Sequence, residues 1–260
     1  MIQDIHLFGL EFSPLLLVFA FFAGFIDAIA GGGGLVQLPS LMLLGPAADL
    51  PVLLGTNKLS SICGTSGALL RYSQSLKFNW KLLGSCALVA FCFSGLGAMT
   101  VGHLPSLWLK PLVCLLLLGV FLFTFWKPNF GTEKTRELKL LPSLLLSSLI
   151  GFYDGFFGPG TGSFLIFALV SFGGLNLLEA SASSKIINWG TNLAALIIFA
   201  LKSQLLIVLG LIMGLANLAG GLTGAQLAIK RGVPFIRNLY RLVVFALLLR
   251  IVWDQLKNLL

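Results

Sequence analysis

Long apolar stretches separated by short polar connections run along most of the chain. Windows of about 20 residues, the length that crosses a bilayer core, fall at 82–102, 108–126, 186–201, 205–229 and 235–253, and each predicts a transmembrane helix. Two further apolar regions are interrupted. Between 14 and 45 the pattern breaks at Gly31-Gly32-Gly33-Gly34, and after Gly151 it breaks at Gly158-Pro159-Gly160-Thr161-Gly162. Each break predicts a pair of short helices joined by a tight turn, because glycine adopts backbone conformations that a side chain forbids.

The two breaks are copies of one another. Gly24, Asp27 and Gly31 recur as Gly151, Asp154 and Gly158 at a constant offset of 127 residues, 154 − 27 being one instance. The same offset carries Thr56-Asn57-Lys58 onto Ser183-Ser184-Lys185, Gly97-Ala98 onto Gly224-Ala225, and Lys110 onto Arg237. The chain therefore reads as two units, 1–127 and 141–260. They are joined by a polar cytoplasmic linker, 128–140, which carries the turn signal Asn129-Phe130-Gly131-Thr132.

Composition settles the class. With 57% hydrophobic and 10% charged residues and a mean hydropathy of +0.99, the chain has too little polar surface for a soluble domain and reads as a polytopic membrane protein. A net charge of +8 would suggest nucleic acid in a soluble protein, but here the basic residues sit in short loops between spans, so no nucleic-acid partner is expected. Arg71, Lys77 and Lys81 share one connection, Lys127, Lys134, Arg136 and Lys139 a second, and Lys230, Arg231 and Arg237 a third. The positive-inside rule makes all three cytoplasmic.

They fall on one side only if the region 14–45 is a hairpin rather than a single span. Each unit then crosses the membrane an odd number of times, which turns the second unit over relative to the first and leaves both termini outside. The expected fold is an all-α polytopic membrane protein of two inverted-topology repeats, each a glycine-broken helical hairpin plus three transmembrane helices. Residues 1–14 lack the basic n-region of a cleaved signal peptide and read as mature chain. Cys63, Cys86, Cys92 and Cys114 all lie in apolar segments without metal-ligand spacing, so they read as packing residues, and no metal or cofactor is expected.

Broken helices at matching positions of inverted repeats line the binding sites of secondary transporters, since unwound backbone at membrane depth must border a cavity or be buried. A helix that starts after such a break offers free N–H groups and the positive end of its dipole to an anion. This makes Gly31, Gly32, Gly33, Gly34, Gly158, Gly160, Thr161 and Gly162 substrate-binding candidates. The plainer alternative, close helix packing, suits isolated glycines such as Gly84 and Gly119. Asn57, Ser61 and Thr65 stripe one helix face at i, i+4, i+8, and Ser184, Asn188 and Asn192 stripe another. Beside them Lys58 and Lys185 are either buried cations that recognise the substrate or side chains that snorkel to the interface.

Asp27 and Asp154 are the two acidic residues inside apolar segments. Each is either a proton-coupling carboxylate or a structural counter-ion and cap. Gln37 and Gln226 have Phe164 and Met99 as their counterparts, so the repeat does not support them as shared site residues. His103 reads as a loop residue.

These residues resemble the motifs of the sulfite exporter TauE/SafE family of permeases: Gly24-x-x-Asp27-x-x-x-Gly31-Gly32-Gly33-Gly34 with Leu38-Pro39, Gly55-Thr56-Asn57-Lys58, Gly151-x-x-Asp154-Gly155-x-x-Gly158-Pro159-Gly160-Thr161-Gly162, and Ala182-Ser183-Ser184-Lys185. The resemblance spans nearly the whole chain. It implies a multi-pass transporter of small anions, including sulfite and organosulfur acids, in the cytoplasmic membrane of a prokaryote, and leaves the individual substrate open. The expected partners are a small anion and the lipid bilayer, with protons one candidate for the coupling ion and the oligomeric state open.

No Walker-type Gly-Lys-Ser/Thr is present, so an ion or substrate gradient would drive transport, in either direction. A channel-like anion pathway and a receptor subunit without transport are the alternatives. An enzyme is not expected, because nothing resembles His-Glu-x-x-His or Gly-x-Ser-x-Gly.

Overall fold

A computed structural model describes residues 5–7, 10–101, 130–133 and 139–257. The expected span at 108–126, Cys114, His103 and most of the linker at 128–140 lie outside the described residues. A short antiparallel strand pair, β1 (Ile5–Leu7) and β2 (Leu10–Phe12), precedes the helices, with Ile5 opposite Phe12 and Leu7 opposite Leu10. Apolar periodicity over so short a segment did not reveal it. Among the described residues everything else that is regular is helical: α1 (Leu15–Ala30), α2 (Gly33–Leu44), α3 (Leu50–Ser73), α4 (Trp80–Met99), α5 (Leu140–Phe156), α6 (Thr161–Ser171), α7 (Leu177–Leu201) and α8 (Ile207–Lys257).

The offset of 127 relates these helices directly. Leu50 and Leu177 open α3 and α7, and Trp80 and Ile207 open α4 and α8. Among the described residues, three helical segments are long and apolar enough to cross a membrane: Trp80–Thr100, Leu177–Leu201 and Ile207–Ala246. Within α8 the backbone leaves helical geometry at Gly232 (φ 68°, ψ −165°), with Pro234 just beyond. Proline is tolerated in the first turn of a helix, so two helices follow one another there, in register with the windows 205–229 and 235–253.

By contrast α1, with 16 residues, and α6, with 11, fall short of a bilayer core of about 30 Å at about 1.5 Å per residue. They turn back instead. Ser13 at the start of α1 donates its N–H to Leu44 O at the end of α2 over 3.0 Å, which closes the first hairpin. In the second hairpin Pro142 and Ser143 of α5 share a small crevice with Phe172 and Gly173 beyond α6.

Two apolar clusters mark opposite ends of the bundle. One gathers Leu16, Leu41, Leu53, Ala98, Phe199 and Leu209. The other gathers Tyr72, Phe130, Leu177, Ala228, Ile236 and Tyr240. The start of α3 thus lies with the end of α7, and the end of α3 with the start of α7. Exposed Phe19, Phe22, Leu88, Leu145, Leu149 and Leu215 face outward from the bundle, an apolar surface that water would not tolerate.

Among the described residues, helices of the first half pack extensively on helices of the second. The first hairpin helix α1 lies along α8, and α5 lies along α4. Small residues permit both contacts: a Cβ on Gly220 would sit 1.9 Å from Phe21 O, and one on Gly155 would sit 1.8 Å from Ser94 O. Where lipid replaces water as the surrounding medium, such backbone approach supplies much of the helix-helix attraction.

Candidate functional site

Both hairpin tips end at the centre of the bundle. Gly32 (φ 93°) opens α2 and Gly160 (φ 91°) opens α6, each in left-handed backbone that L side chains rarely adopt. The tips touch through their main chains. A Cβ on Gly31 would come within 2.1 Å of the Gly162 carbonyl carbon, so no side chain fits between them.

A helix end leaves its last carbonyls without intrahelical donors, and at α1 other elements supply them. Asp27 O accepts from Lys185 Nζ at 2.5 Å, and Ala28 O from the Tyr72 hydroxyl at 2.9 Å. Ile29 O accepts from Ser181 Oγ at 2.8 Å, and Ala30 O from Ser163 Oγ at 3.0 Å. Residues from α3, α6 and α7 thereby donate to the carbonyls at the break. At the starts of α2 and α6 the case differs, since neither has a side-chain cap on its N-terminus. Gly33 N–H alone reaches a side chain there, donating to Asp27 Oδ1 at 3.3 Å.

A cavity of about 30 Å³ lies between the tips, room for a water molecule or two. The first unit contributes Ala23, Asp27, Gly32, Gly33, Gly34 and Gln37, with Asn57, Lys58 and Ser61 from α3. The second contributes Asp154, Gly158, Gly160, Thr161 and Gly162, with Asn188 and Asn192 from α7 and Asn217 from α8. The N-termini of α2 and α6 both border this space, so two positive dipole ends converge on it.

Its fixed charges cancel. Lys58 Nζ lies 2.8 Å from Asp154 Oδ2 and donates to Asn192 Oδ1 at 3.1 Å. Lys185 Nζ lies 2.8 Å from Asp27 Oδ2. The pairs are reciprocal, because each lysine takes the aspartate of the other unit. The lysine side chains are 4% and 0% exposed, so neither reaches the membrane surface. Burial of this kind is tolerated only with a counter-charge and further hydrogen bonds. Asn192 Nδ2 extends the network to Asn188 Oδ1 at 3.2 Å, and Asn188 O accepts from Thr191 Oγ1 at 2.9 Å.

Three of the residues singled out from the sequence do not border the cavity. Gly31 forms the tip contact behind it, Lys185 lies behind Asp27, and Ser184 donates to Ser181 O at 2.7 Å within α7. Three residues the repeat argument passed over do border it: Ala23, Gln37 and Asn217. Gln37 and Asn217 lack polar counterparts, since the offset pairs them with Phe164 and Ala90. The remaining signal for Asn217 was an amide in the middle of the apolar window 205–229, which holds one other, Gln226. Gln226, also set aside, hydrogen-bonds Arg71 Nε at the bundle rim. Among the described residues no group of histidine, cysteine and carboxylate side chains is arranged to hold a metal ion.

The chain is similar to known membrane proteins along most of its length. The family model described as "Sulfite exporter TauE/SafE" matches residues 16–251. A "Probable membrane transporter protein ORF9" of Sinorhizobium sp is 38% identical over 97% of this chain and 95% of its own. A "Probable membrane transporter protein" of Haemophilus influenzae is 36% identical over 95% of this chain and 97% of its own. A third, the "Probable membrane transporter protein YfcA" of Escherichia coli, is 33% identical over 94% of this chain and 92% of its own. No solved structure matches the chain.

Proposed function

The chain belongs to the sulfite exporter TauE/SafE family, and from that premise we propose that it is a secondary transporter of small anions working by alternating access between two inverted units. The substrate class is sulfite, an organosulfonate or a related organic acid. The observation that carries this reading is the convergence of two helix N-termini, each opened by a glycine, on one buried polar cavity. Because Lys58 and Lys185 are each neutralised by an aspartate, and the N–H groups of Gly33 and Thr161 donate to Asp27 Oδ1 and Gly158 O, the attraction for an anion comes from the two helix dipoles and the N–H groups of Gly34 and Gly162. Ser61 and the cavity amides add neutral donors. Such a site holds one negative charge without a net cation to trap it, which suits a carrier that must also release.

Inversion of the units is supported by α3 and α7. Thr56 Oγ1 in the first turns of α3 accepts from Leu206 N just beyond α7, over 2.9 Å. Near the other end of α3, Tyr72 clusters with Leu177 at the start of α7. Related helices that run in opposite directions are what inverted repeats require. Asp27, whose side chain is 21% exposed, is the better placed carboxylate to accept a coupling proton. The family and its bacterial relatives support a reading that places the protein in the cytoplasmic membrane of a prokaryote.

The test is flux in proteoliposomes loaded with labelled sulfite, an alkanesulfonate or a short carboxylate. Saturable exchange of at least one of them, accelerated by unlabelled anion on the far side, is the expected result. Flux that rises linearly with concentration and shows no exchange would point to a channel instead.

A further inference from the structure

Among the amides that border the cavity, Gln37 and Asn217 are the two whose repeat counterparts are apolar. Gln37 of α2 and Asn217 of α8 are hydrogen-bonded side chain to side chain, Asn217 Nδ2 donating to Gln37 Oε1, and they are 1% and 4% exposed. Their repeat counterparts are Phe164 and Ala90. The second unit therefore makes the equivalent packing with apolar groups, and nothing in the helix arrangement itself calls for an amide pair. The first unit even clears space for it. A Cβ on Gly24 would lie 2.2 Å from Asn217 O, and one on Gly64 would lie 1.7 Å from Asn217 Oδ1.

Gln37 Nε2 has no hydrogen-bond partner, although the residue borders the cavity. A buried amide donor left unpaired is costly, and more so in a membrane protein, where apolar surroundings offer no substitute. Asn217 occupies the Gln37 carbonyl, which fixes the amide and leaves its NH₂ for whatever fills the cavity.

We infer that Gln37, held in place by Asn217, is the specificity-determining donor of the cavity. It takes an acceptor oxygen of the bound anion and rejects ligands that would turn an apolar group towards it. The inference rests on the anion-transport reading above. A site built to donate a hydrogen bond discriminates strongly against an analogue that leaves the donor empty, whereas an apolar pocket discriminates weakly. Asn217 is a positioning residue here, acting through Gln37.

The experiment measures binding of sulfite and of ethanesulfonate to the purified full-length protein by calorimetry. The variants are Gln37→Met, which keeps side-chain length, and Asn217→Ala, which copies the second unit. Thermal unfolding serves as the check on folding. Wild type is expected to bind sulfite at least about tenfold more tightly than ethanesulfonate. Gln37→Met should weaken sulfite about tenfold, the worth of one donor, and leave ethanesulfonate unchanged, so the preference collapses. Asn217→Ala should move the ratio in the same direction by a smaller factor, about threefold, because the freed amide still finds the anion part of the time.

A purely structural role would lower stability and weaken both anions alike. A ratio unchanged in both variants while wild type binds sulfite overturns the assignment of Gln37 and leaves the transport reading standing. A wild-type protein that binds neither anion overturns both.

Discussion

Lys58 and Asp154 are buried at 4% and 2% side-chain exposure and 2.8 Å apart, so each is the condition for the other's burial. Removing one partner strands the other's charge, which typically costs about 3 to 5 kcal/mol, whereas removing both can be nearly neutral. Lys58→Met is therefore expected to lower stability by that amount, and Lys58→Met combined with Asp154→Leu to recover most of it, as read by thermal unfolding in detergent. Transport should be lost in both. If the double variant is as unstable as the single one, the cation is held by its hydrogen bond to Asn192 rather than by the aspartate. At this scale the sequence pointed to the four residues of the two ion pairs but not to how they meet. The offset of 127 pairs lysine with lysine and aspartate with aspartate, and carries no sign that each lysine crosses to the other unit's carboxylate. Gln37 and Asn217 were hidden for the opposite reason, because a test based on symmetry discards whatever one copy has alone.

At the scale of elements, the hairpins depend on two kinds of glycine. Gly32 and Gly160 are needed for their left-handed backbone, and Gly31 for the backbone contact with Gly162. Valine at Gly32 or Gly160 disfavours the turn by roughly 1 to 2 kcal/mol and should abolish transport while the protein still reaches the membrane. Gly31→Ala should be worse, because a Cβ there meets main chain that cannot move aside. Gly84 supplies the control: nothing lies within 4 Å of an added Cβ, so Gly84→Ala should be neutral or stabilise by about 0.5 to 1 kcal/mol, as alanine does in a helix interior. Full transport in all four variants would reduce the tips to packing elements. The breaks were readable because glycine clusters inside apolar runs are rare and these two repeat. The partners of the α1 carbonyls were not, since Tyr72, Ser163, Ser181 and Lys185 are scattered along the chain and only folding gathers them.

For the whole molecule, the decisive feature is that α1 lies against α8 and α4 against α5. The described helices of the two halves pack on one another along glycine-lined seams. The same arrangement governs how the protein is made. When the ribosome has released only the first unit, the Gly97 face of α4 still lacks Phe152 and Phe156 of α5, and α1 lacks Gly220 and Gly224 of α8. Each awaits a helix not yet synthesised. The half-made chain must dwell in the bilayer with Asp27 lacking Lys185 and Lys58 lacking Asp154, so the later helices act in effect as an internal chaperone for the earlier ones. Cutting the gene between residues 133 and 139 makes this measurable. The first fragment expressed alone should be degraded within the time the intact protein persists, and co-expression of both fragments should restore its lifetime and its transport. A first fragment that is long-lived alone would mean that the unit folds without its partner's helices.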